Sequence, residues 1–448
     1  MILILTIIAV VLTLWSVVRV LGSRESEDAS VALVLIGLLH VAGFTLLFFA
    51  FPVVFIRSIS EDQWVEWMTF WCALLAAGIG VRAFIRLVGQ DRWVAVSVLA
   101  LSLFCLFFAL EEISWGQRIL SFEGPEFITS RNSQSETNLH NLFMGPGKSE
   151  WNIKSVVFAG IVIFAIGVPA WLLDRGRGSW LARWPFPPAG AAPIFLASAL
   201  CFKYLQHYRL DELGEYLLAL GLLVTLAASV TRAQGLTLRR QAVLAGWGAI
   251  LMVSLGTSAI ELGSADGRMW SRNIFQYYLY SFAMDRYPKD GLWQNSRRVL
   301  EYAEREGFEN QRTWLLLARA TKAQGDEEGA RTYLQKAMVQ SDADVKAHPN
   351  DPFRLYSAAL VHKELHQSAE ANSLESAALL RVEEMLGADP GNGVLRTLQG
   401  YLYQELGNKA RATATLKEMD EWDPAFAHGF RYMTFTATEE AAVHARRF

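Results

Sequence analysis

The sequence predicts an all-α protein in which about eight transmembrane helices precede a stack of paired helices. Residues 1–262 contain long apolar runs that fit a bilayer, whereas residues 263–448 are polar, alanine-rich and mixed in charge. Within 311–448, small residues recur at the spacing of closely packed helix pairs. We therefore predict a transmembrane domain at 1–262, an interfacial aromatic connector at 263–310 and an extracytoplasmic helical-repeat domain at 311–448.

Eight apolar runs are candidates for membrane spans. The first is followed by no small-residue cleavage site and preceded by no basic segment, so we expect it to be retained as a span. The runs lie near residues 2–20, 32–56, 64–86, 93–114, 154–174, 190–207, 212–231 and 241–262.

Arginine residues are concentrated in every second connection between these runs. Eleven of them lie in the connections after the first, third, fifth and seventh runs. Basic loops stay in the cytoplasm. The pattern therefore predicts a multi-pass protein of a bacterial inner membrane with both termini on the extracytoplasmic side.

The composition excludes several classes of function. The net charge is −3 and no basic tract is present, so we expect no nucleic-acid partner. The three cysteines lie in apolar runs and form neither a disulfide framework nor a metal-binding pair. The motifs HExxH and GxSxG do not occur. We predict no bound metal and no cofactor.

The segment "RTWLLLARATKAQGDEEGARTYLQKAMVQ" at 312–340 has a repeated pattern. Its Gly325 and Leu334 correspond in spacing to Gly407 and Leu416 further along the chain. This pattern resembles the tetratricopeptide repeat, a helix pair of about 34 residues, with a longer, degenerate unit between the two copies, from Pro352 to Pro390. The resemblance implies a surface that binds a protein partner. A helical cap that only stiffens the membrane domain is the alternative.

The segment Gly267–Pro288 between the two halves is rich in aromatic residues and includes Arg268 and Arg272. Aromatic and basic residues together are typical of the membrane interface. We expect this segment to lie on the membrane and couple the two domains. The alternative is an ordinary first helix of the repeat stack.

The stretch "EEISWGQR" places Glu111 and Glu112 at the end of an apolar run. The helix dipole disfavours acids at this end by about 0.3–1 kcal/mol, so the pair needs another explanation. We predict that Glu111 or Glu112 faces inward toward Glu215, which opens another apolar run. Charges that simply decorate the membrane interface are the alternative.

Three segments bring polar groups to the same predicted side of the membrane: the end of the fourth run, the loop after it and the hairpin around residue 207. Ionisable groups near a bilayer often serve a function. The predicted catalytic residues are Glu111, Glu112, His140 and Glu215. The predicted substrate-binding residues are Trp115, Gln117, Arg118, Asn138, Asn141, His207, Arg209 and Glu212.

The layout of membrane spans followed by helical repeats is similar to that of O-antigen ligases and glycan polymerases. "EEISWGQR" with a downstream "NLHN" also resembles a pattern of uncharacterised bacterial membrane proteins. Two functions stay open. One is an envelope-assembly protein whose repeats bind a protein partner while its spans contact membrane lipids. The other is a membrane-embedded transferase or hydrolase that acts on a lipid or a lipid-linked glycan.

Overall fold

The computed structural model describes residues 2–22, 28–60, 63–117, 124–125, 137, 150–175, 184–204, 210–233, 239–263, 275–276, 278–307 and 311–422. Every regular element within these ranges is helical, which confirms the predicted all-α class. The chain divides into two compact units. Described residues up to Gly263 form the membrane unit, and those from Phe275 onward form the C-terminal unit.

The membrane unit is built from long apolar helices. The described helices are α1 Ile2–Gly22, α2 Asp28–Ala50, α3 Pro52–Ser58, α4 Trp64–Leu87, α5 Arg92–Glu112, α6 Glu150–Gly160, α7 Val168–Arg175, α8 Ala192–Tyr204, α9 Asp211–Ala233 and α10 Arg240–Gly263. A π-helical stretch, Ile161–Gly167, joins α6 to α7. Pro169 lies just after it, and proline removes a backbone donor that a regular helix would use.

Six helical segments in the described ranges are long and apolar enough to cross a membrane, which indicates a multi-pass membrane protein. They are Val31–Ala50, Trp64–Leu87, Arg92–Glu112, Ser155–Leu172, Asp211–Thr231 and Gln241–Ile260. Two shorter apolar helices, Val10–Val20 and Ala189–Tyr204, lie where the first and sixth spans are predicted. The second of these would reach only about 24 Å, less than a hydrocarbon core of about 30 Å. The count of eight spans stays a prediction.

Close packing at small residues holds the centre of the membrane unit together. Helix α4 packs along both α5 and α9. Gly80 of α4 faces Ser102 of α5 so closely that a Cβ atom would collide with the serine side chain. On the other side of α9, a Cβ at Gly221 would lie 2.5 Å from Cζ of Phe195. Small residues allow such helix approach in membranes, where no hydrophobic effect drives association.

The C-terminal unit is a stack of antiparallel helix pairs. Its described helices are α11 Trp293–Arg305, α12 Gln311–Ala323, α13 Glu327–Ala347, α14 Pro352–Glu364, α15 Ser368–Ala388, α16 Gly393–Glu405 and α17 Lys409–Trp422. Each helix from α12 to α16 packs on the next one. The predicted turns at Gly325 and Gly407 are confirmed, since both lie between paired helices with positive φ angles of 84° and 79°.

The helix pairs repeat every 41 residues, which is longer than the expected period. Gly325, His366 and Gly407 occupy the same turn in successive pairs, and all three have a positive φ. The helix starts follow the same interval. The expected contrast between regular outer units and a longer middle unit was therefore wrong. The period is long because the second helices of the first two pairs each contain 21 residues.

One core position of this repeat holds an apolar residue in the outer pairs and an acidic residue in the middle pair. Leu334 and Leu416 pack between the helices of the outer pairs. The corresponding residue of the middle pair is Glu375, whose side chain is fully buried. Nζ of Lys363 lies 2.6 Å from Oε1 of Glu375 and 2.5 Å from Oε2 of Glu405. This ionic contact therefore links the second pair to the third.

Part of the expected connector is buried inside the C-terminal unit. Phe275, Tyr278, Tyr280, Phe282 and Tyr287 are all buried. Helix α11 packs on α12 as a further member of the stack. The burial of these aromatic residues favours the alternative interpretation, in which this segment is part of the helical stack. Contact of residues 267–274 with the membrane lies outside the described residues.

Candidate functional site

Three helix ends bring carboxyl groups to one end of the membrane unit. Glu66 lies in the first turn of α4, and Glu112 is the last residue of α5. Glu212 and Glu215 lie in the first two turns of α9. We call these four residues the acid cluster. Each of them is partly buried.

The carboxyl groups of Glu112 and Glu215 lie within hydrogen-bond reach of each other. Glu66 and Glu212 lie near enough to act electrostatically on Glu112. An ionised carboxylate can only accept hydrogen bonds, so a bond between two carboxyl groups requires a proton on one of them. The inward contact predicted from the sequence is therefore present, between Glu112 and Glu215.

Glu111 points to a different partner from its neighbour. Its side chain is buried, and Oε1 accepts a hydrogen bond of 2.6 Å from Nε1 of Trp115. The chain turns sharply here through a 3₁₀ segment, Ser114–Gly116, with φ angles of 48° at Ser114 and 56° at Trp115. This left-handed turn ends the helix after Glu112, so Ser114 and Trp115 do not continue the helical face of Glu111. The indole of Trp115 thus binds the carboxylate of Glu111. The carboxyl group of Glu112 is the one that faces Glu215.

The long loop after α5 is tied back to this turn through Thr137. The hydroxyl of Thr137 donates to the carbonyl oxygen of Ser114 across 2.5 Å. Its backbone N–H donates to Oε1 of Gln117 across 2.8 Å. Gln117, predicted to bind substrate, thus has a structural contact that holds the loop at the end of α5.

Several predicted site residues lie outside the described residues. They are Arg118, Asn138, His140, Asn141, His207 and Arg209. The structure therefore brings together Glu112, Glu212 and Glu215 from the predicted set, with Glu111, Trp115 and Gln117 in the adjoining turn.

The sequence reasoning missed Glu66. A signal for it existed, because Glu66 opens an apolar run on the same predicted side as the end of α5. Single acids in the first turn of a helix are common, since the helix dipole favours them, and so Glu66 did not stand out. Among the described side chains, no group of three or more His, Cys, Asp or Glu residues has an arrangement suited to a metal ion.

Comparisons of the chain with protein-family models, curated proteins and solved structures found no significant match.

Proposed function

We propose that this chain is a membrane-embedded enzyme whose acid cluster performs general acid–base chemistry on a lipid or lipid-linked glycan. The observation that carries the proposal is the proximity of the Glu112 and Glu215 carboxyl groups, which lie within hydrogen-bond reach of each other. These two residues are distant in sequence and belong to different helices. Simple decoration of the membrane interface would leave each carboxylate separately in water.

A shared proton suits the pair to transfer chemistry. The protonated carboxyl group can donate to a leaving oxygen, and the ionised one can accept a proton from an attacking hydroxyl group. Glu66 and Glu212 place two further carboxyl groups beside the pair. One acid and one base are thereby held in contact.

The location of the acid cluster supports a substrate of the membrane. The candidate spans Trp64–Leu87, Arg92–Glu112 and Asp211–Thr231 each have one end at the cluster. A substrate with an apolar chain in the bilayer would place its polar group at this level. The predicted layout resembles that of O-antigen ligases, and on that resemblance we propose a lipid-linked glycan as one specific candidate.

A second function, partner binding in envelope assembly, is supported by the C-terminal unit. Three successive helix pairs with equivalent turns are the architecture with which helical repeats present a binding surface. We assign them as tetratricopeptide-like repeats of unusual length. In this role the membrane unit anchors the repeats.

Variants of the acid pair separate the two functions. Glu215→Gln and Glu112→Gln should each abolish complementation of a deletion strain, although the protein still accumulates in the membrane. Glu301→Gln, which changes a partly exposed acid in the C-terminal unit, is the matched control and should complement. Full complementation by both acid-pair variants would contradict the enzyme and leave the assembly role.

The orientation belongs to the same proposal. We place eight spans in a bacterial inner membrane with both termini on the extracytoplasmic side, on the basis of the eleven arginines in alternate connections. A reporter that is active only in the periplasm should be active when fused after Phe448 and silent when fused after Gly89. The opposite result would move the acid cluster to the cytoplasmic face.

A further inference from the structure

A serine and a lysine meet at a second place in the membrane unit. Nζ of Lys203 in α8 lies 2.9 Å from Oγ of Ser155 in α6. The lysine is only 8 % exposed and the serine is partly buried. The helices also contact through Phe158 and Tyr204, whose rings lie 6.4 Å apart. The pair is thus held between two packed helices.

The separation fits activation of a nucleophile. A serine hydroxyl becomes a good nucleophile when a base within hydrogen-bond reach removes its proton, and lysine serves as that base in some enzymes. Lysine must be an uncharged amine for this role, and loss of hydration favours the uncharged amine over the ammonium ion. At 2.9 Å the hydroxyl can then donate to the amine.

The pair lies at the boundary of the apolar layer. In the sequence, Ser155 directly follows Lys154 and precedes a long apolar run, and Lys203 lies near the polar residues Gln206 and His207 that follow another apolar run. A reacting carbonyl group would therefore lie where the acyl chains of a lipid meet its polar part. The ester carbonyl groups of membrane lipids lie at this level.

We propose that Ser155 and Lys203 form a nucleophile–base pair that transfers or hydrolyses the acyl group of a lipid ester. Oγ of Ser155 adds to the ester carbonyl carbon while its proton passes to Nζ of Lys203. The bond from the carbonyl carbon to the alcohol oxygen breaks, and that oxygen takes the proton from Nζ and leaves as the alcohol. Water or another hydroxyl compound then repeats the sequence and releases the acyl group from Ser155.

This reaction goes beyond the proposed function, because it uses neither carboxyl group of the acid pair. No short motif could reveal it, since the two residues lie 48 positions apart on separate helices. Sequence motifs for serine hydrolases describe a tight turn after a strand, and this pair needs no such turn.

An alkyl fluorophosphonate tests the pair directly, because it phosphonylates activated serines with loss of fluoride. Wild-type protein in membranes should be labelled at Ser155, and Ser155→Ala should abolish the labelling. Lys203→Met and Lys203→Arg should each slow it by about 100-fold or more, the usual contribution of a general base. If Lys203 served only as a structural cation, its replacement by arginine would not slow the labelling of Ser155.

Two controls keep the outcome specific. Ser198 is a buried serine of α8 whose hydroxyl donates to the carbonyl oxygen of Gly214, so Ser198→Ala should label normally. Glu301→Gln, which changes a partly exposed acid of the C-terminal unit, should also label normally. An unlabelled wild-type protein, or full labelling of Lys203→Arg, would overturn the proposal.

Discussion

The hydroxyl group of Tyr216 donates a hydrogen bond to Nε2 of His40 across 2.7 Å inside the membrane unit. The direction follows from the other ring nitrogen, Nδ1, which lies 2.7 Å from the carbonyl oxygen of Ile36. A carbonyl can only accept, so Nδ1 carries the hydrogen and Nε2 accepts. The indole N–H of Trp247 in turn donates to the Tyr216 oxygen across 3.1 Å. Helices α2, α9 and α10 are joined by this chain of donors.

Replacement of Tyr216 by phenylalanine should destabilise the membrane unit by about 1–2 kcal/mol, because it leaves both His40 and Trp247 without this partner. Trp247→Phe removes one bond and should cost less. Unfolding of the purified protein in mixed detergent micelles measures both. Equal stability of Tyr216→Phe and wild type would show that the chain of donors contributes nothing.

Glu375 should make the C-terminal unit less stable as the pH rises. Burial raises the pKa of this carboxyl group, while Lys363 opposes the shift and Glu405 adds to it. The folded protein then holds the proton more tightly than the unfolded chain, so stability is lost as the pH rises from the ordinary value of 4.5 through the raised value. Glu375→Leu should remove this slope, while Lys363 keeps Glu405 as its partner. Melting temperatures of both proteins between about pH 4 and 8 provide the measurement.

Removal of the lysine should act in the opposite direction. Burial opposes the charge of Lys363, but hydrogen bonds to Glu375 and Glu405 outweigh this and raise its pKa. Its contribution is therefore complete at neutral pH and is lost only in strong alkali. Lys363→Met leaves the buried carboxylate without its cation and should cost about 3 kcal/mol. A gain in melting temperature at neutral pH would contradict the pairing.

Gly400 is required for the close crossing of α16 and α17. A Cβ atom there would lie 2.6 Å from Cδ2 of Leu416, so Gly400→Ala should destabilise the protein by about 1–2 kcal/mol through overpacking. Gly387 is the matched control, because a Cβ added to it meets nothing within 4 Å. Gly387→Ala should be neutral or slightly stabilising. Thermal unfolding of the two variants beside wild type compares them, and similar losses in both would contradict the crossing.

His366 should be a point of backbone strain. It has a φ of 59° in the turn where the neighbouring pairs have glycine, and it is exposed. Left-handed backbone costs a residue with a Cβ atom about 1 kcal/mol, so His366→Gly should be stabilising by up to about that amount. Gly325→Ala, which introduces the strain, should cost a similar amount. A loss of melting temperature in His366→Gly would indicate that the imidazole itself is needed.

The sequence was sufficient for those features that depend on periodicity or on runs of one residue type. Apolar length predicted the candidate spans, and Gly325 and Gly407 predicted turns because few residues adopt positive φ as readily. The contact of Glu112 with Glu215 followed from helix direction, since the fourth run ends on the side where the seventh begins.

Features that depend on helix rotation and register could not be predicted in this way. Glu66 joins the acid cluster only because α4 turns that residue toward α5 and α9. The burial of Glu375 became visible only when the 41-residue interval aligned it with Leu334 and Leu416. The left-handed turn at Ser114 and Trp115 has no glycine at either position, so nothing in its composition indicated it.

The 41-residue interval has a consequence for how this protein can change. Equivalent helices join each pair to the next at the same interval, so an in-frame duplication of one interval would add one unit to the stack. A single duplication would therefore lengthen the helical stack of the C-terminal unit. The acid cluster has no such freedom, because its residues come from three unrelated helix ends, and an insertion in any of those helices would dismantle it.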